Sequence, residues 1–542
     1  MSEAESSSSS SSSRRSKIKT HCTTTTGLSS SSSLFALLND DVLQNILARL
    51  PALSFASATC VSKLWNTVCN RVLSRPKFAS ALSLDPCPFG AVEDVLDKVL
   101  SEPIRPHFVI ANIARGFELP DAFRSIVRRF KRTPIVISIA NGLIGRDALT
   151  NEFREANWGA TDGDSDDEYG SNIEDTNHGI VLTIGYVPGL KVDAIPLLGN
   201  PWEPKVAMTD KFVKDIKKYT ASVSGCTSPV GIIMFGERLV DLKPHIDVLD
   251  YAMPKETVIV GDERGRFRYN SRGFCGNGYC EDAVALVFAR DRHKSSGIGD
   301  IQFRVALSNG VSAIGPKYKA ASVTLDGPNS PRRTTSTWLT ARREGDRDIL
   351  DGQTMLDDIS NELDYHYELY PLYIGVTKQR NYCIRSKEKT ITSLAFHRVR
   401  GGGESSLYVD GFNIRTGDYF QFYRSDRNNA SVNLKSLKQD GSSNNCHHKR
   451  AVPVNIKKEV FGGFIFSCCG CSDSFFKRRN LVSSPFIEDF PGVPLAGVFC
   501  SGEIVRASSG LIEESNKEKS SRCCLHVGST VYLVMSYTCP EC

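Results

Sequence analysis

The sequence predicts an α+β chain in which a small all-α unit precedes a mixed α/β segment and then a mainly β segment. Three observations carry this prediction. Apolar residues recur at helical spacing between residues 34 and 80. From Phe108 onward, short β-branched runs alternate with helical stripes. Beyond Leu372 the apolar runs are almost all short and strand-like. At 542 residues the chain is too long for one ordinary core, so two or three folded units plus linkers are expected. Residues 1–33 are a Ser/Thr-rich tract with nothing to bury and read as a disordered tail.

The all-α unit spans residues 34–80. The polar Asn39-Asp40-Asp41 opens a helix whose apolar face is Val42, Leu43, Ile46, Leu47 and Leu50, and Pro51 closes it. Ser54 is placed to cap a second helix, whose stripe runs through Phe55, Ala58, Val61, Leu64, Trp65, Val68 and Val72. A unit this small has too little interior to be robust alone, and its leucines and tryptophan invite a partner to cover them.

The mixed segment, residues 105–348, is read as strands at Phe108–Ala111, Ile135–Ile139, Val181–Val187, Val230–Phe235 and Thr257–Val260. Helices are expected at Asp121–Phe130 and Lys211–Tyr219. Ala283–Ala289 and Ile301–Leu307 are expected to pair with each other as an antiparallel hairpin. The acidic stretch from Thr161 to Asn177 reads as a surface insertion. A helical stripe at Ile349–Leu363 marks the boundary to the β segment, residues 349–542, with strands around Leu372, Thr392, Leu407, Tyr419, Phe464, Leu495 and Val531. No leucine-rich, propeller or ankyrin period recurs, so a solenoid receptor is not expected.

Composition narrows the function classes. Hydrophobic residues make up 40% and charged residues 23%, and a net charge of +5 over this length offers no concentrated basic face for nucleic acid. No apolar run reaches the roughly 18 residues of a membrane span, so no membrane association is expected. Seventeen cysteines, an odd number at low density, fit reduced thiols in the nucleus or cytoplasm. The Arg14-Arg15-Ser16-Lys17 cluster is compatible with a nuclear signal, a transit peptide or a solvated tail; Glu3 and Glu5 count against transit.

Signatures of catalysis are missing. There is no P-loop, no H-E-x-x-H and no nucleophile elbow. Asp162-Gly163-Asp164-Ser165-Asp166 imitates the start of a calcium loop, but Asp167 and Ile173 stand where glycine and glutamate are required. Cys539 and Cys542, with Cys523 or Cys524, have zinc-ligand types. Small core thiols are the favoured reading instead, so no metal and no cofactor are expected.

Residues 35–78 resemble an F-box. The pattern runs through Leu38, Asp40-Asp41, Ile46-Leu47, Leu50-Pro51, Val61-Ser62 and Trp65, with Asn39 where the family has proline. The resemblance implies docking on a Skp1-like protein, and on a cullin through it, with Leu38, Leu47, Leu50, Pro51, Val61 and Trp65 as anchors. The remainder resembles the two-part FIST module found behind an F-box in F-box-only proteins, including plant members. Ile314-Gly315-Pro316, Phe464-Ile465-Phe466-Ser467-Cys468 and the Phe490–Phe499 stretch followed by Ser501-Gly502-Glu503 carry it. The two large segments are accordingly read as FIST N-like and FIST C-like.

That resemblance implies a non-catalytic substrate adaptor of an SCF ubiquitin ligase that holds a protein target. Alternatively, it implies a sensor whose small-molecule ligand sits near turns at Gly315, Pro316, Cys468, Gly502 and Glu503. Gly470-Cys471 replaces the glycine-arginine that often follows the module's Ser-Cys.

Overall fold

The computed structural model describes residues 39–158, 177–199, 205–238, 240–271, 281–308, 310–325, 336–360, 362–363, 372–384, 387–411, 414–425, 434, 458–469, 480–507 and 522–540. It opens with α1 (Asp40–Leu47), α2 (Ala52–Ala58) and α3 (Lys63–Val72). Asn39 starts α1 by accepting the Asp41 N–H, with Asp40 and Asp41 in the first turn, where the helix dipole favours carboxylates. The stripe read as one helix from Ser54 to Val72 is in fact two. The chain turns at Thr59–Ser62, and the extended Ser62 caps α3 by accepting the Trp65 N–H at 3.2 Å. A serine with a free cap to make interrupts a stripe that apolar spacing alone would continue.

The mixed part follows as β1 (Lys77–Ser83), α4 (Pro88–Val99), β2 (Phe108–Ile113), α5 (Leu119–Phe130), β3 (Ile135–Ile139), β4 (Gly142–Arg146), β5 (Phe153–Asn157), β6 (Ile180–Tyr186) and β7 (Leu190–Leu198). It continues with α6 (Lys205–Ser224), β8 (Gly231–Glu237), α7 (Lys243–Ala252), β9 (Val258–Gly265), β10 (Phe267–Asn270), β11 (Glu281–Arg290) and β12 (Asp300–Ser308). Then come β13 (Val311–Leu325), β14 (Ser336–Arg343), α8 (Gly352–Ser360), β15 (Leu372–Ile384), β16 (Lys387–Gly402), β17 (Leu407–Asp410) and β18 (Tyr419–Ser425). The last elements are β19 (Lys458–Cys468), α9 (Ser484–Asp489), β20 (Leu495–Cys500), β21 (Glu503–Ala507), β22 (Arg522–His526) and β23 (Thr530–Thr538).

These strands form three open sheets and one closed barrel. The orders are β1-β6-β2-β3-β10, then β22-β21-β9-β8-β11-β7, then β12-β23-β19-β20-β4-β5, with the barrel β13-β14-β17-β16-β15-β18. Each open sheet contains one parallel pair among otherwise antiparallel neighbours: β2 with β3, β8 with β9, and β19 with β20. Parallel neighbours need a crossover, and α5, α7 and α9 lie in the three connections. Each sheet is thus built around one strand–helix–strand unit.

The boundary expected at residue 349 falls inside the span of the barrel, 311–425. Strands from both sides of it share sheets: β21 borders β9 and carries β22 on its other edge, and β4, β5 and β12 join β19, β20 and β23. The expected hairpin between Ala283–Ala289 and Ile301–Leu307 does not form. β11 has both edges filled, by β7 and β8, while β12 pairs with β23 in another sheet. The acidic stretch lies outside the described residues except for Asn177, as do residues 1–38.

All three open sheets meet at one aromatic row. Phe108 of β2, Phe288 of β11 and Phe303 of β12 stack edge-to-face, with centroids 5.1 and 4.9 Å apart. Two glycines make room for it. A Cβ on Gly185 of β6 would lie 2.1 Å from the Phe108 ring, and one on Gly231 of β8 would lie 2.3 Å from the Phe303 ring. Gly185→Ala is therefore expected to destabilise the chain by about 1–3 kcal/mol through overpacking. Combining it with Phe108→Leu should cost less than the sum of the two single changes. Urea unfolding followed by circular dichroism checks this, and a neutral Gly185→Ala would contradict it.

Candidate functional site

The helices α1 to α3 enclose a small core of Leu43, Leu47, Phe55, Ala58, Val68 and Cys69, flanked by Leu50, Trp65, Val72 and Leu73. They carry more apolar surface than that core can use. Val42 (46% exposed), Ile46 (47%), Leu53 (67%), Val61 (62%) and Leu64 (46%) all face solvent. Val42 and Ile46 are four residues apart on α1 and form a second stripe beside the buried Leu43 and Leu47.

This helical unit is fastened to the body. The Ala52 N–H donates to the Leu100 carbonyl at 2.9 Å, and Ala52 is buried in the cluster beneath the first sheet. An Arg75–Glu459 ion pair at 3.4 Å adds a surface tie, a contact type worth little by itself. Only residues 73–76 separate α3 from β1.

A second constellation lies in the body, where β9, β21 and β22 run side by side. Asp262, Glu503 and His526 sit opposite one another in register and share one face. All three are buried, and neither Glu503 Oε2 nor His526 Nδ1 finds a hydrogen-bond partner among the described residues. Cys500 Sγ donates toward Glu503 Oε1 at 3.6 Å and the Ser467 carbonyl at 3.4 Å, and Cys468 is the register partner of Cys500 across the parallel pair.

Burial dominates the electrostatics here. It pushes the Asp262 carboxyl up to about 7, against the lowering effect of the Arg264 N–H it accepts. Burial and the nearby Cys468 drive Glu503 well above the usual carboxylate range. His526 is lowered to about 4, by burial and by the Lys243 charge. The Cys500 thiol is raised well above its ordinary value, which makes it a poor nucleophile. Tyr373 of the barrel lies against this group: burial raises its hydroxyl, with Cys468, Cys469 and Glu503 adding to the effect.

Beside this centre opens a cleft of about 300 Å³ at the carboxyl ends of β3 and β8, lined by Arg115, Glu118, Glu237, Arg266 and Arg268 among others. Arg115 follows β2, Glu237 ends β8, and Arg266 sits in the turn between β9 and β10.

Comparison with known proteins bears on the helical unit. Residues 35–77 match the F-box domain family. A relative from Arabidopsis thaliana, named as an F-box/LRR-repeat protein, is 44% identical over 522 residues, covering 93% of this chain and 94% of its own length. This chain is an F-box protein. A general role as a substrate adaptor of SCF ubiquitin ligases follows from that membership, and F-box proteins are generally the non-catalytic subunits of those ligases. Although the relative's name mentions leucine-rich repeats, the described residues of this F-box protein form three open sheets and a barrel rather than a repeat solenoid.

The anchors expected from the sequence separate into two environments in this F-box protein. Leu47 is fully buried and Leu50 and Trp65 pack against the same local core, whereas Pro51 and Val61 are exposed. Leu38 lies outside the described residues. Of the expected ligand turns, Cys468, Gly502 and Glu503 converge on the buried centre. Gly502 packs so closely on Glu263 that a Cβ would lie 2.4 Å from its carboxylate.

Gly315 and Pro316 are elsewhere, in a bulge of the barrel strand β13. There Gly315 adopts φ +64°, donates its N–H to Glu362 and accepts from Gln421. Arg115, Glu237, Arg266 and Arg268 carry no motif. The one signal available was that Arg115 and Glu237 follow the carboxyl ends of the expected strands Phe108–Ala111 and Val230–Phe235; Arg268 lies in β10, a strand not expected from the sequence. Among the described residues no three His, Cys, Asp or Glu side chains group as metal ligands. Cys471 and Cys542 lie outside the described residues, as do the side chains of Cys523 and Cys524.

The buried centre makes stability depend on pH in two opposing ways. From 3.8 up to about 7 the folded state holds a proton on Asp262 that the unfolded chain releases, so this group's contribution to stability falls as pH rises through that window. His526, ordinarily titrating at 6.5 and here near 4, favours protonation in the unfolded chain, so its contribution falls as pH drops through that range. Asp262→Asn should flatten the loss of Tm toward neutral pH, and His526→Gln should flatten the acid limb. Calorimetric Tm profiles test both, and unchanged profiles would contradict the burial of these groups.

Proposed function

We propose that this F-box protein docks on a Skp1-like subunit, and on a cullin through it, by the outward apolar stripe of α1–α3, and that its β-rich body holds a protein target. The observation that carries this is the concentration of exposed aliphatic side chains, Val42, Ile46, Leu53, Val61 and Leu64, on a unit whose own core is already filled. Covering such side chains stabilises an interface by about 1–2 kcal/mol each at half exposure, with a few central ones dominating. The attachment of Ala52 to Leu100 supports a fixed orientation of target relative to ligase. Presentation of this kind works through proximity: a held acceptor lysine meets the charged ubiquitin carrier at high effective concentration.

Kinship of the body with FIST modules is part of the same reading. Its support is that two of the motif stretches, Phe464–Cys468 and Leu495–Phe499, form the adjacent parallel strands β19 and β20, with Glu503 directly after them.

Co-purification with a Skp1-like protein tests the docking. Leu53→Asp with Val61→Asp should abolish capture while leaving circular dichroism unchanged, since both side chains are already in water. Leu47→Ala should instead destabilise the helical unit by about 2–5 kcal/mol through a cavity. Full capture by the double aspartate variant would refute the assignment of this face.

A further inference from the structure

The outward face of α5 carries an unbalanced charge. Leu119, Ala122, Phe123, Ile126 and Phe130 bury the inner face against the first sheet. Asp121, Arg124, Arg128 and Arg129 are left in water, and the exposed Lys131 and Arg132 extend the series into the turn before β3. Five cations thus fall within residues 124–132, against a single acid, Asp121, in α5 itself. Two of the five are neutralised: Arg124 pairs with Asp121, and Arg129 pairs with Glu93 of α4 at 3.1 Å. Among the described residues no carboxylate reaches Arg128, Lys131 or Arg132. The helix dipole accounts for basic residues in the last turn, Arg128 and Arg129, but not for Lys131 and Arg132 beyond it.

The place of this ridge in the fold is fixed by strand direction. β1, β2 and β3 all run the same way, because β6 is antiparallel to both β1 and β2, and β2 is parallel to β3. α4 and α5 therefore both end toward the edge of the sheet where β2 and β3 begin. At that edge the Leu100 carbonyl, just past α4, accepts the Ala52 N–H of the F-box helices. The unpaired cations thus lie on the side of the body to which the F-box is fastened. No large hydrophobic side chain of α5 is exposed. The ridge accordingly lacks both the apolar face of a helix that lies on a membrane and the aromatic platform on which nucleic-acid bases stack.

We propose that this ridge holds a short acidic segment of the protein target, with Asp or Glu carboxylates on Arg128, Lys131 and Arg132; the inference rests on the reading of the body as the part that holds the target. Arginine forks take a carboxylate through paired hydrogen bonds, and lysine adds a point charge. From Arg124 to Phe130 the helix advances about 9 Å, a distance that an extended chain covers in about three residues. A compact acidic run fits that span, whereas a nucleic acid calls for a longer row of phosphate contacts. Exposed ion pairs are individually weak and screened by salt, so the hold is modest and releasable.

Fluorescence anisotropy with the full chain tests this, using a labelled peptide with a central Glu-Asp-Glu-Asp and a matched peptide with Gln-Asn-Gln-Asn. The acidic peptide should bind saturably at low ionic strength and lose affinity as salt is added, while the amide peptide should not bind. Arg128→Gln, Lys131→Gln and Arg132→Gln together should weaken binding roughly fivefold or more, with circular dichroism and Skp1 capture unchanged. If the triple variant unfolds, Arg132→Gln alone, at an exposed turn residue, gives the same comparison to a smaller degree. No saturable binding of the acidic peptide, equal binding of the amide peptide, or undiminished binding in the folded variants would each overturn the proposal. So would tighter binding of single-stranded RNA or anionic vesicles through the same three residues, or loss of Skp1 capture in the folded triple variant. The Leu53→Asp/Val61→Asp variant should still bind the acidic peptide, so this proposal and the docking assignment fail separately.

Discussion

The edge-to-face row of Phe108, Phe288 and Phe303 is the contact on which the body depends, because each ring comes from a different open sheet. Sheets joined face to face in this way cannot slide independently, since the rings fit only where Gly185 and Gly231 leave space. The same contact explains why β11 and β12, consecutive in the chain, belong to different sheets. Phe288 and Phe303 meet across the interior, and residues 291–299 carry the chain from one sheet to the next.

With the sheets fixed, the ends of their strands become fixed as well. β9, β21 and β22 bring Asp262, Glu503 and His526 into one buried row, and β19 and β20 add Cys468 and Cys500. Burying two carboxylates beside each other is costly unless they hold protons, which is the direction in which both are shifted. The cleft next to this row keeps its arginines closer to water, where charge is cheap to maintain. Around this row the acids and thiols lie inside, whereas Arg115, Arg266 and Arg268 lie closer to the surface.

The F-box helices obey a different constraint. Their core is complete with six buried side chains, and the remaining aliphatic residues have no interior left to enter. Attachment through Ala52 and the short connector to β1 makes this apolar surface an extension of the body. A ligase adaptor needs that combination, a sticky face held at a set angle to whatever the body grips.

The sequence by itself determined the helical unit, its cap at Asn39, most strand positions in the body and the Ser-Cys and Pro-Gly-Val-Pro stretches, because these rest on local periodicity and turn chemistry. It did not distinguish the inner stripe from the outer one in α1–α3, since Val42 and Leu43 are equally apolar and only packing chooses between them. It also did not reveal the break at Ser62 or the partners of β11 and β12, nor that Gly315 belongs to a barrel bulge while Gly502 belongs to the buried centre. Pairing across hundreds of residues leaves no local trace. Arg115, Asn141 and Ser501 become hydrogen-bonded neighbours only in the folded chain, and that was decided by tertiary structure alone.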